Sequence, residues 1–132
     1  MSKCHQRVGR VHLGVGGLVA ALLAAGLALG ACGTGSAVSD ARASCRHVTR
    51  ALAIQRRSEQ PGLSTAQRQV LEGRAMGELL KGSSAAAAAT SADGSWNALQ
   101  TTIQESERVP LSDLVPALTR LCQVANSSSP YL

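Results

Sequence analysis

The sequence predicts an all-α fold: an antiparallel, up-down four-helix bundle preceded by an N-terminal signal or anchor helix. Two observations carry this prediction. From residue 41 onward, apolar residues recur at alternating steps of three and four, the period of a helix with one buried face. Strand signals are weak: no segment alternates convincingly, and aromatic residues make up only 2% of the chain, too few for the aromatic-rich pattern typical of sheets.

Residues 1–31 form the first unit. Lys3, Arg7 and Arg10, with His5 and His12, make a cationic start. An uncharged Gly/Ala/Leu/Val run fills 13–29, and small Gly30 and Ala31 precede Cys32. This is the layout of an export signal with a small-residue cleavage site. Leu29-Gly30-Ala31-Cys32, followed by Gly33, resembles the lipobox of bacterial lipoprotein signals. The resemblance implies that a diacylglyceryl group is attached to the Cys32 sulfur and that a peptidase cuts before it. Acylated Cys32, carrying palmitate-type chains, then holds the mature protein on membrane lipid. A thiolate is the nucleophile such a transfer needs. An uncleaved transmembrane anchor and an ordinary signal cut elsewhere are the alternatives. In each case the positive residues precede the apolar run, so the body of the protein is expected on the extracytoplasmic face of the cell membrane.

The next boundaries follow. Residues 32–40 read as a flexible, lipid-anchored tether, 41–126 as the helical domain, and 127–132 as a C-terminal tail. In the domain, Ala41, Cys45, Val48 and Leu52 form the first stripe, and Pro61-Gly62 ends that segment. Ser64 with Gln67 three residues on has the form of a capping box. It opens a second stripe of Ala66, Val70, Gly73, Gly77 and Leu80, which Gly82-Ser83 interrupts. A third stripe runs Ala85, Ala89, Ala92, Trp96, Leu99 and Ile103. Its phase favours one long helix over 85–107, with Trp96 in the core, although Gly94 costs about 1 kcal/mol relative to Ala and is where a break would fall. After Pro110, Ser112 is the candidate cap of a last helix with Leu114, Leu118, Leu121 and Ala125 on one face. Pro116 falls near its start, where a missing backbone donor matters least.

The lipobox resemblance also sets the cysteine arithmetic. It removes Cys4 with the signal and assigns Cys32 to lipid, leaving Cys45 and Cys122 in an oxidising compartment. A Cys45–Cys122 disulfide is the implied staple. In an up-down bundle an even number of helices brings the start of the first helix beside the end of the last, so pattern and pairing agree.

The precursor carries a net charge of +5. From Cys32 onward ten Lys/Arg face eight acids, and a net of +2 gives no electrostatic footprint for nucleic acid. The excess of Arg over Lys, with abundant Ala and Gly, resembles small actinobacterial lipoproteins. Catalytic patterns are not apparent. His47 is the sole histidine after Cys32; it lies off the apolar stripe and reads as a surface residue. Cys45 and His47, two apart on a helix, point in different directions, so no metal site is expected. Glu72 and Glu78 read as solvated helix residues. Neither a nucleophile elbow nor a phosphate-binding glycine loop is present, and no cofactor is implied.

One surface stands out. Arg42, Arg46, Arg50 and Arg57 fall within about a quarter of a helical wheel, opposite the first apolar stripe. A solvated face in an Arg-rich chain accounts for such a ridge; so does an anionic partner such as lipid headgroups, a cell-wall polymer or an acidic membrane protein. The sequence therefore points to a non-catalytic, lipid-anchored binding or accessory module for a cell-envelope partner. The alternative is a structural or scaffolding lipoprotein that self-assembles or joins a membrane complex.

Overall fold

In a computed structural model the described residues are 33–129. The signal reading of residues 1–31, the lipidation of Cys32 and the last three residues of the expected tail lie outside them. Among the described residues there are five α-helices, one short 3-10 helix and no strand. They are α1 (Gly33–Ser58), α2 (Thr65–Leu80), α3 (Ser83–Ala92), the 3-10 turn (Gly94–Trp96), α4 (Asn97–Glu105) and α5 (Leu111–Asn126). None is long and apolar enough to cross a membrane.

The first helix is the centre of the domain: α2, α3 and α5 all pack on it. Its buried residues include Ala41, Cys45, Val48 and Leu52, the stripe expected from the sequence. It starts earlier than expected. Residues 33–40, read as a tether, continue the helix, and Ala37 is as fully buried as Ala41. The apolar stripe simply runs one turn further back, so core contact overrides the Gly/Ser/Thr composition that suggested a loop.

After Ser58 the chain turns through Pro61 and Gly62. Gly62 has φ +86°, a backbone conformation that side chains resist. The capping box then forms as expected: Gln67 N–H donates to Ser64 Oγ at 3.2 Å, and Ser64 N–H donates to the Gln67 side chain at 2.8 Å. The face of α2 that meets the core is not the expected one. Ala75 and Leu79 are buried, whereas Ala66, Val70, Gly73, Gly77 and Leu80 are exposed. Leu71-Ala75-Leu79 is a competing four-residue stripe, and it wins because it carries more apolar bulk per turn toward α1.

Gly82 makes the tightest crossing. A methyl built there would lie 3.1 Å from the Ser44 carbonyl oxygen and 3.2 Å from both Ser44 Oγ and the Leu79 carbonyl oxygen. A side chain there would require its neighbours on α1 and α2 to give by a few tenths of an ångström.

The long helix expected over 85–107 is broken at Asp93. Asp93 is extended, with φ −153° and ψ 112°, and its carboxylate accepts from the Ser95 backbone N–H at 2.9 Å. That hydrogen bond, and then one with the Ser95 side chain, lowers the Asp93 pKa. The aspartate thus starts a new helical segment in place of continuing the old one. The break interrupts the helix but keeps the inward phase: Ala86 and Ala89 are buried before it and Trp96, seven residues after Ala89, with Leu99 and Ile103 after it. Trp96 is a core residue, 1% exposed.

The last helix begins at Leu111 after Pro110, and Ser112 does not cap it; its hydroxyl instead meets Asp113 Oδ1 at 3.3 Å. Pro110 sets the entry angle, so the cap position falls on it. Pro116 stands in the second turn and is exposed. Leu118, Leu121, Cys122 and Ala125 are buried. Cys45 and Cys122 form the disulfide, with Cα atoms 5.3 Å apart and a sequence separation of 77.

Candidate functional site

The candidate site is the solvent face of α1 and the groove it forms with α5. Helix α1 has this free face because its other side is taken by α2, α3 and α5. Arg42, Arg46, Arg50, Arg56 and Arg57 are all exposed along it. At a helical rise of 1.5 Å, Arg46 and Arg57 stand about 16 Å apart along the axis.

These arginines divide into two groups. Arg42 is committed to the fold. Its Nε donates to the Ala125 carbonyl at 2.8 Å and its Nη2 to the Ser127 carbonyl at 3.2 Å. It therefore satisfies carbonyls that the end of α5 leaves open and complements the negative end of that helix. Arg50 is also committed: its Nε lies 2.7 Å from Glu78 Oε1. Arg46, Arg56 and Arg57 make no hydrogen bond or ion pair among the described residues. The ridge expected from the sequence thus keeps Arg46 and Arg57 as free cations and gives up Arg42 and Arg50.

Arg56 was not part of the expected ridge. It lines a groove of about 400 Å³ between α1 and α5. Val48, Leu52 and Cys122 supply apolar lining. Thr49, Thr119, Gln123 and Asn126 supply hydroxyl and amide groups. The Asn126 amide donates to the Cys122 carbonyl at 2.9 Å. On the wheel Arg56 is merely a fifth cation. Its place in the groove depends on where α5 lies, and no local pattern encodes that.

Glu78 and His47 are the other correction. Both were expected to be solvated surface residues. Glu78 has a side chain only 14% exposed, and it gathers three partners, His47, Arg50 and Lys81. His47 Nδ1 is 2.8 Å from Oε1, Arg50 Nε is 2.7 Å from the same oxygen, and Lys81 Nζ is 3.0 Å from Oε2. Lys81, then Arg50, then His47 lower the Glu78 pKa to about 2. The cluster ties α1 to α2. The signal was present in the residue types, but the pairing crosses helices and sequence spacing does not reveal it.

The arrangement is suited to holding an anion. It offers unpaired guanidinium groups beside neutral hydrogen-bonding groups, over an apolar floor. Among the described residues no three His, Cys, Asp or Glu side chains gather in a way that would hold a metal ion, and both described cysteines are in the disulfide. No protein-family profile matches the sequence, and no curated protein or solved structure is significantly similar to it.

Proposed function

We propose that this protein is an extracytoplasmic, lipid-anchored module that binds an anionic component of the cell envelope and performs no catalysis. In this reading membrane lipid holds it through acylated Cys32, and the domain serves as an accessory surface for its partner. The observation that carries the reading is the trio Arg46, Arg56 and Arg57. These cations have no partner among the described residues and stand on the one open face of the central helix.

The frame we infer is an up-down bundle in which α3 and α4 act as one broken helix. Contacts along α1 support it. Gly82 meets Ser44, while Glu78 meets His47 and Arg50, so α2 runs back along α1. Cys122 meets Cys45, and Ala125 meets Arg42, so α5 does the same.

The test is a titration of the full-length protein, in detergent micelles, with poly(glycerol phosphate), a soluble phosphate polymer. Binding is expected, and it should weaken as salt screens the charges. At ~1 kcal/mol per cation near an anionic surface, the triple variant R46Q/R56Q/R57Q should bind on the order of a hundredfold more weakly. Arg42→Gln is the control: it should lower thermal stability and leave binding intact. Equal binding by the triple variant and the wild type would remove the proposal. The address is tested by intact mass after membrane extraction, which should begin at Cys32 and include lipid.

A further inference from the structure

A threonine inside a helix commonly gives its hydroxyl to a carbonyl one turn back. Thr90, Thr101 and Thr102 do so, bonding the carbonyls of Ala86, Asn97 and Ala98 at 3.0, 3.0 and 2.7 Å. Thr49 and Thr119 do not, and neither hydroxyl has a partner among the described residues. Both are exposed, and both line the groove between α1 and α5. The Cys45–Cys122 and Arg42–Ala125 contacts fix how α5 lies along α1. The same register carried onward sets Thr49 level with Thr119, about one helical turn beyond the disulfide.

The rest of the lining narrows what the groove can hold. Gln123 adds a carboxamide that is also unpaired among the described residues. Hydroxyl and carboxamide groups both donate and accept hydrogen bonds. A bare anion only accepts, so it uses half of what these groups offer. An alcohol donates and accepts, and uses all of it. Arg56 brings a guanidinium whose fork fits phosphate, and no acidic residue lines the groove to oppose an anion there. Val48 and Leu52 give an apolar floor for carbon-bound hydrogens. The volume of about 400 Å³ falls within the roughly 300–1,000 Å³ of small-molecule sites.

Arg46 and Arg57 stand apart from this lining. At about 100° per residue they lie a quarter turn or so round α1 from Arg56, on either helical level. They add positive charge beside the groove and take no part in reading an alcohol.

We propose that the α1–α5 groove recognises one polyol-phosphate unit of an envelope polymer. Arg56 holds the phosphate, and Thr49, Thr119 and Gln123 hold the hydroxyl and ester oxygens of the polyol. This rests on the anion-binding reading above and goes further than it. Charge alone serves that reading, and Arg46 and Arg57 attract any polyanion; the groove selects the one that carries alcohols.

The experiment is calorimetric titration of the full-length protein, in detergent micelles, with two polymers. One is poly(glycerol phosphate); the other is linear inorganic polyphosphate, which carries the charge without the alcohol. The variant T49V/T119V keeps the shape of both side chains and removes both hydroxyls. It should bind poly(glycerol phosphate) about tenfold more weakly and polyphosphate as the wild type does. Its thermal midpoint should not fall, since neither hydroxyl bonds within the fold. T49S/T119S, which keeps the hydroxyls, should bind both polymers normally. R46Q/R57Q should weaken both polymers by similar factors. A valine variant that binds poly(glycerol phosphate) like the wild type would overturn the proposal and leave the anion-binding reading standing. Equal losses for the two polymers would overturn it as well, because the threonines would then shape the surface without reading an alcohol. A wild type that binds neither polymer would overturn both.

Discussion

Ser44 carries a fully buried hydroxyl with no hydrogen-bond partner among the described residues. It sits where Gly82 crosses α1. A buried hydroxyl left unpaired costs about 1–3 kcal/mol. Ser44→Ala should therefore stabilise the domain by about 1 kcal/mol in a denaturant melt. Gly82→Ala should do the reverse by about 1–3 kcal/mol, since the added methyl presses on the backbone of Ser44 and Leu79. Two neighbouring small residues thus have opposite expected effects. The sequence marked Gly82 as a helix breaker, and that holds. It gave no hint that the position is also a contact, because the close approach depends on the path of α1. Trp96 in the core and the Ser64–Gln67 box were legible, since both follow from local pattern. The role of Glu78 was not, because two of its three partners, His47 and Arg50, come from another helix, α1.

At the scale of the elements, α2 teaches the most. It carries two apolar stripes on opposite sides. Periodicity detects either but does not say which one the rest of the chain covers; it covers the side of Ala75 and Leu79, which are fully buried. The third stripe holds at Ala89, Trp96, Leu99 and Ile103, but its helix is not continuous. Its period ran on through Asp93-Gly94, yet a short aspartate side chain bonding the backbone two residues ahead offers the chain a turn that periodicity ignores. The α1–α2 contact should be acid-sensitive. The Glu78 pKa is lowered from 4.5 to about 2 by Lys81, Arg50 and His47. A carboxylate lowered in the folded state contributes stability that is complete above its unfolded pKa and is lost as pH falls through the folded value. Wild-type stability should therefore fall between pH 4.5 and about 2 more steeply than that of Glu78→Gln, which has no carboxylate at that position. Parallel slopes in acid melts of the two proteins would contradict this account of the contact.

For the molecule as a whole, the disulfide is the largest single contribution we assign. Closing a loop across 77 positions removes unfolded-state entropy worth about 4.5 kcal/mol at 25 °C. Reduction, or the double variant C45A/C122A, should lower unfolding free energy by roughly that amount. A small domain with few aromatic residues has little core to spare, so the reduced form should be unfolded or close to it at 37 °C. The helix class and the cysteine pairing were legible because both rest on whole-chain regularities: a repeated period, and a count of thiols. The division of the arginines was not, because Arg42 and Arg50 are claimed by groups 83 and 28 residues away.

The continuous helix from Gly33 to the disulfide has a mechanical consequence. With no slack between Gly33 and Cys45, a pull on the leading end of the domain passes along a rigid rod of about 18 Å. At Cys45 the covalent bond hands the load to Cys122, from which only a few residues lead to Ser129. Tension between the two ends of the domain therefore bypasses α2, α3 and α4. The segments that carry the α2 outward face lie inside the covalent loop and off the path of force, so the domain can be stretched between its ends while that face keeps its shape.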